Sequence, residues 1–136
     1  MIGLIGTSRL LKALADDTRL RVLHLLAQEE LSGSDLMEVL NMGQSRVSTH
    51  LNLLKEVGLV NDRREGRRSL YSIAPGPAAA LLQQVLVENA ESPEFASDLA
   101  GLQVLREAHA AQKRAYFDRV SARISVSIPS PMPRSA

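Results

Sequence analysis

The sequence predicts a mainly α-helical fold with a small β-hairpin and a helical C-terminal extension. Three observations carry that expectation. Leucine-rich segments with helical spacing fill the first part of the chain. Asn41-Met42-Gly43 then interrupts two such segments with residues that favour a tight turn. After Gly58 the pattern becomes strand-like on either side of Glu65-Gly66-Arg67. Helix, turn, helix and hairpin in that order describe a winged helix-turn-helix, with the hairpin as its wing.

Taken in order, Thr7 or Ser8 can cap a first helix that runs to about Ala15, with Leu10, Leu11 and Leu14 on its apolar side. Asp16 offers a second cap. The helix it starts, from Asp17 to about Gln28, carries Leu20, Leu23 and Ala27 on one stripe, and Val22, Leu25 and Leu26 widen it into the central core helix. Ser32 or Ser34 caps the third helix, whose Leu36, Val39 and Leu40 point inward. Gly43 begins the fourth helix without a side-chain acceptor. Two strands follow, Leu59 to Arg64 and Arg68 to Ile73, with Leu70, Tyr71 and Ile73 available for packing. Pro75-Gly76-Pro77 ends the hairpin, and Ala78 to Asn89 is helical through Leu81, Leu82, Val85 and Leu86. Ser92-Pro93 breaks that helix. A longer one runs from Glu94 to about Arg123, with an uneven apolar stripe of Phe95, Leu99, Leu102, Leu105, Ala108, Tyr116, Phe117, Val120 and Ile124. The expected organisation is a winged-helix domain at 1–90, a helical extension at 91–124 and a disordered, proline-rich tail at 125–136.

The composition limits the function classes. A chain of 136 residues with 45% hydrophobic content buries one modest core, and its net charge of +1 is too small for binding nucleic acid through overall charge. The distribution matters more. Between Gly43 and Ile73 the six basic residues Arg46, Lys55, Arg63, Arg64, Arg67 and Arg68 face only three acids, Glu56, Asp62 and Glu65. With no cysteine, disulfides, thiolate metal sites and cysteine nucleophiles are excluded. The N-terminus lacks the basic leader and cleavage site of a signal peptide, and no apolar run reaches the roughly 20 residues of a membrane helix. A cytoplasmic location and no membrane partner are the expectations. Aromatic residues make up only 3% of the chain and are dispersed, which favours duplex DNA over stacking on single strands.

The fourth helix carries the functional signal. Val47, Leu51 and Leu54 form one buried stripe, which leaves Gln44, Ser45, Arg46, Ser48, Thr49, Asn52 and Lys55 on the opposite face. These side chains suit hydrogen bonding to base edges in a major groove. His50 lies near the packed edge, where a structural role and a DNA contact are both open. Arg63, Arg64, Arg67 and Arg68 suit phosphate or minor-groove contact, with Arg67 best placed at the tip. The alternative is an edge-strand charge pattern, and Arg63 and Arg68 can instead pair with Asp62 or Glu65. His24 and His109 read as ordinary packed or solvated imidazoles. Asp16-Asp17 reads as a helix start rather than an acid-base pair. No catalytic residues and no enzyme activity are expected.

The segments LLKALADDTRLRVLHLL, SDLMEVLNMGQSRVSTHLNLLKEVGLV and RREGRRSLYSI together resemble the ArsR-type (arsenical-repressor-like) family of bacterial winged-helix regulators. The resemblance covers roughly the first 75 residues. It implies a homodimer that represses or tunes transcription, joined through the first helix and the helix after the wing: here Leu10, Leu11, Leu14, Leu81, Leu82, Val85 and Leu86. Many members bind metal through cysteines in an ELCVCDL-like segment, which here reads Glu30-Leu31-Ser32-Gly33-Ser34-Asp35-Leu36. Serine hydroxyls are poor ligands for soft ions. The helix after the wing has no histidine and only Glu88 as an acid, so no regulatory metal and no cofactor are expected, and an unidentified small-molecule effector remains as the releasing signal. QKRAYFDRVSARI resembles the connector in ArsR-type proteins fused to an S-adenosylmethionine-dependent methyltransferase, but no glycine-rich nucleotide loop follows a strand. The expectation is a sequence-specific regulator of double-stranded DNA that reads an inverted repeat; the alternatives are a truncated methyltransferase-fusion relative and a winged-helix protein-interaction module.

Overall fold

The computed structural model describes the backbone of residues 3–127 and the side chains of residues 3–122. Helix α1 (Gly3–Leu14) starts earlier than its expected cap. Thr7 does not cap it: its hydroxyl donates to the Gly3 carbonyl at 2.7 Å, the back-bond a threonine makes inside a helix. The misreading arose because Leu4 and Ile5 add nothing to the packed face, being 86% and 74% exposed.

Asp16 caps α2 (Asp17–Gln28) as expected, accepting from the Arg19 backbone N–H at 3.0 Å. Arg19 in turn donates from Nε to the Ala13 carbonyl at 2.6 Å and from Nη2 to the Lys12 carbonyl at 3.2 Å. Those carbonyls lie in the last turn of α1, where that of Lys12 also accepts the Ala15 N–H at 3.2 Å, so one arginine helps close the first helix while its own backbone opens the second. The Asp16 carboxyl is held below its ordinary pKa, first by the Arg19 backbone hydrogen bond, against the cost of burial. Asp16→Ala is expected to cost about 1 kcal/mol at neutral pH. Because the folded-state pKa is depressed, this contribution is complete above the unfolded value and is lost as pH falls through the folded one. Thermal melts of variant and wild type are therefore expected to draw together progressively as pH falls below about 4.

After α2 the chain forms β1 (Leu31–Ser32) and α3 (Gly33–Leu40). Ser32 serves both elements. Its side chain accepts from the Asp35 N–H at 3.1 Å and its N–H donates to Asp35 Oδ2 at 3.0 Å, a reciprocal capping box. Asn41 ends α3 in the left-handed region with φ 54°, and Gly43 starts α4 (Gln44–Glu56) with no side-chain cap.

The end of α4 sets the direction of the wing. The Leu59 N–H returns to the Leu54 carbonyl at 3.0 Å and the Gly58 N–H to Lys55 at 3.1 Å, with Gly58 at φ 79°. This is a Schellman closure, sealed by the fully buried side chains of Leu54 and Leu59. It delivers the chain into β2 (Val60–Glu65), which pairs antiparallel with β3 (Arg68–Ile73) around Gly66-Arg67. The expected two-stranded hairpin is part of a three-stranded sheet in the order β1-β3-β2, because Leu31 and Ser32 pair with Tyr71 and Leu70. Two residues are too few to show an alternating pattern.

Helix α5 (Pro77–Glu88) has Pro77 at its start, and α6 (Pro93–Ser127) follows a short turn in which the Ser92 hydroxyl accepts from the Phe95 N–H at 3.1 Å. The first compact unit extends through Leu102. Asp98, only 2% exposed, receives two hydrogen bonds from Arg21 of α2 at 2.9 and 2.7 Å. Phe95 stacks on His24 with centroids 3.9 Å apart and planes 8° from parallel. Gly101 passes beside Val39 of α3, where an added Cβ would lie 3.4 Å from its side chain. A bidentate ion pair, a ring stack and a close helix crossing thus fasten the start of α6 to two helices of the domain.

The second unit, Gln103–Ala136, is described through the rest of α6. Of the expected apolar stripe, Phe95, Leu102 and Leu105 are buried, whereas Leu99, Tyr116 and Phe117 are exposed. Tyr116 and Phe117 meet edge to face at 5.9 Å. Residues 125–127 of the expected tail continue the helix, and 128–136 lie outside the described residues. No helix among the described residues is long and apolar enough to cross a membrane.

Candidate nucleic-acid interface

Helix α4 is seated by Val47, Leu51 and Leu54, all buried, and its other side chains fall into three strips at helical spacing. Ser45, Thr49, Asn52 and Glu56 point directly away from the core. All four are exposed, and the Thr49 hydroxyl donates back to the Ser45 carbonyl at 2.8 Å. Gln44, Ser48 and Lys55 lie on the edge nearer the wing, where Lys55 reaches Asp62 of β2 at 3.2 Å. Arg46 and His50 lie on the edge nearer α2. There Arg46 Nη2 approaches the Thr18 hydroxyl at 3.5 Å, and His50 Nδ1 is 3.5 Å from Arg19 Nη1.

His50 is half-buried and belongs to this α2–α4 contact. Burial first, then the nearby Arg19 and Arg46 charges, lower its pKa against the pull of Asp16, so the ring is neutral near pH 7. His24 is also held below its ordinary value by burial, with Asp98 opposing. Its Nδ1 is buried without a hydrogen-bond partner among the described residues.

The wing sorts its cations. Arg63 forms a two-pronged pair with Glu30 at 2.8 and 2.6 Å and also meets Glu65 at 3.0 Å. These contacts lower the Glu30 pKa and raise that of Arg63. Arg63 is therefore committed to joining the wing to the end of α2. Its partner Glu30 was invisible to a local reading, since only the pairing of β1 brings residues 30 and 63 together. Arg64, Arg67 and Arg68 are exposed, with no ion pair among the described residues.

Between α4 and the wing lies a cleft of about 400 Å³. Gln44 and Ser48 form one side, Arg67, Arg68, Ser69 and Tyr71 the other, and Ser34 of α3 sits at its end. Ser34, Ser69 and Tyr71 were not among the expected site residues. The signal that could have found Ser69 and Tyr71 is the two-residue alternation of β3, which puts them on the face opposite buried Leu70.

The expected dimer residues divide by burial. Leu10, Leu14, Leu82 and Leu86 are covered within the protomer itself. Helical periodicity marks an apolar side without saying which neighbour covers it. Leu81 and Val85 are half-buried, and Leu11 is exposed along with Leu4, Ile5 and Val87.

A reading helix set against a basic wing matches what comparison with known proteins finds. The sequence profile of the family described as "Bacterial regulatory protein, arsR family" matches residues 16–62. The chain is 38% identical over 74 residues to the transcriptional activator HlyU of Vibrio cholerae, covering 54% of this chain and 68% of HlyU. The chain belongs to the ArsR family. A probable mercury resistance operon repressor of Streptomyces lividans is 37% identical over 76 residues, a match that spans 56% of this chain and 61% of the repressor. Among solved structures, the homodimeric winged helix-turn-helix DNA-binding domain of a Mycobacterium bovis protein superposes with a TM-score of 0.58 at 40% identity, covering 63% of this chain and 80% of that one. The match thus spans about three-fifths of the length of the mercury resistance repressor.

Proposed function

We propose that this ArsR-family chain is a homodimeric, sequence-specific transcriptional regulator that represses by occupying an inverted-repeat operator. The observation that carries this reading is the orientation of α4: its apolar stripe is spent on the domain, and Ser45, Thr49 and Asn52 stand outward beside a wing with three arginines that have no ion pair among the described residues. Hydroxyl and amide side chains on a protruding helix can read base edges, and the arginines can hold the backbone on either side. The homodimeric M. bovis domain supports the pairing of two copies, and exposed Leu4, Ile5, Leu11 and Val87 are among the apolar side chains available for it. Two-fold symmetry then spaces the half-sites by about 34–36 Å, or a multiple of that.

Gel shifts of the duplex upstream of its own coding sequence, against a scrambled duplex at several salt concentrations, test the reading. Arg46→Ala is expected to lose about 1–3 kcal/mol on the operator and to relax base preference. Arg67→Ala is expected to weaken both duplexes alike and to flatten the salt dependence. Equal binding of both duplexes by wild type and both variants would remove the assignment. The absence of cysteine favours release by something other than a thiolate-bound metal, such as a small-molecule effector.

One further reading rests on the resemblance of QKRAYFDRVSARI alone, that the helix from Leu102 to Arg123 is a connector of the kind found in methyltransferase fusions. Calorimetric binding of S-adenosylmethionine would favour that reading over the regulator alone. A winged helix that binds a protein instead of DNA would leave every duplex unshifted.

A further inference from the structure

The cleft between α4 and the wing combines features that the outward face of α4 lacks. Its polar wall carries two guanidiniums, Arg67 and Arg68, and the hydroxyls of Ser34, Ser48, Ser69 and Tyr71. The cations on either side are already engaged: Lys55 holds Asp62 at 3.2 Å, and Arg63 holds Glu30 at 2.6 Å. Among the described residues Arg64, Arg67 and Arg68 have no such partner, and two of these three arginines, Arg67 and Arg68, line the cleft. No carboxylate lines it. Two uncompensated cations and several hydroxyl donors around one concave space fit an anion with several acceptor oxygens.

The space is also the right size. About 400 Å³ corresponds to roughly a dozen water molecules, enough to admit a phosphate group. Its position adds a second constraint. One wall is the edge of α4, so an occupant of the cleft lies alongside whatever α4 reads, as the sugar-phosphate strand at the rim of a major groove does. The walls are pre-set by structure rather than by loop flexibility. Ser34 is in the first turn of α3, behind the Ser32–Asp35 capping box, and Ser69 and Tyr71 sit on β3, which is paired on both sides.

We propose that this cleft seats one backbone phosphate of the bound strand, with Arg67 and Arg68 supplying charge and Ser34, Ser69 and Tyr71 supplying neutral hydrogen bonds. The proposal rests on the DNA-binding reading above and assigns three contacts to residues outside the reading helix and the wing tip. Phosphate contacts fix register without carrying base information, so these residues position the reading helix rather than choose the sequence.

The two classes of contact have separable signatures. A cation that neutralises a phosphate releases counterions, whereas a hydroxyl releases none. Fluorescence anisotropy of the full chain with the upstream duplex and its scrambled counterpart, across a salt series, distinguishes them. The triple variant Ser34→Ala, Ser69→Ala, Tyr71→Phe is expected to bind both duplexes about tenfold more weakly with an unchanged salt slope. Arg68→Gln is expected to reduce the slope by about 0.9 on both. Tyr71→Phe keeps the half-buried ring; if the triple variant nevertheless melts early, the Ser34→Ala, Ser69→Ala pair gives the same readout without touching it. Wild-type affinity in hydroxyl variants of a protein that binds duplex DNA would overturn the cleft assignment alone. A changed base preference at constant overall affinity would overturn it too. Failure of the wild type to bind any duplex would overturn both this assignment and the DNA-binding reading.

Discussion

Asp98→Ala is expected to destabilise the first compact unit by about 3–5 kcal/mol, the range for removing one partner of a buried ion pair. The Asp98 carboxylate is 2% exposed and takes both guanidinium hydrogen bonds of Arg21, at 2.9 and 2.7 Å. Deleting it leaves Arg21 partly buried without its counter-charge, beside the His24–Phe95 stack and close to where Gly101 passes Val39. For a unit of this size each kcal/mol moves the thermal midpoint by roughly 4 °C or more, so a fall of about 12–20 °C or more is expected by calorimetry. Asp98→Asn keeps the shape and some hydrogen bonding and should fall between. The double variant Arg21→Met, Asp98→Leu is the control: if the loss comes from an unpaired charge, replacing both partners restores much of it. An unchanged midpoint in Asp98→Ala would mean that the start of α6 is not fastened to α2 as described.

Leu51→Ala is expected to cost about 2–5 kcal/mol and to weaken DNA binding through the seat of the reading helix rather than through any base contact. Leu51 is 2% exposed and is the middle residue of the three that anchor α4, between Val47 and Leu54. Its removal leaves a gap that the Schellman closure at Leu54 and Leu59 prevents the helix from filling by sliding. Chemical denaturation measures the stability loss. Duplex titration well below the new midpoint then measures how far a loosened α4 reduces affinity, and the loss is expected to be alike for operator and scrambled DNA. A selective loss on the operator would instead place Leu51 among the specificity residues.

Much of this architecture was legible from local chemistry. The Asp16 cap, the turn at Asn41-Met42-Gly43, the buried Val47–Leu51–Leu54 stripe and the wing tip at Gly66-Arg67 depend on neighbours only a few residues away, and all four are present. The missed features depend on partners far along the chain. Strand β1 exists because Leu31 and Ser32 meet Tyr71 and Leu70, and Arg63 is engaged because the same pairing brings Glu30 to it. The divided fate of the expected dimer leucines has the same origin: Leu10 and Leu11 are equally apolar, and only the packing of α1 decides that the first is buried and the second exposed.

The sequence by itself determined which helices form, where α2, α3 and α4 start, and that one of them turns a hydrogen-bonding face outward, because capping, turn and periodicity are short-range effects. Tertiary structure alone decided which arginines remain uncommitted, which leucines face outward and where a concave, carboxylate-free space opens beside the reading helix. Charge pairing and burial are properties of neighbours in space, and residues 30 and 63, or 21 and 98, become neighbours only when the chain has folded.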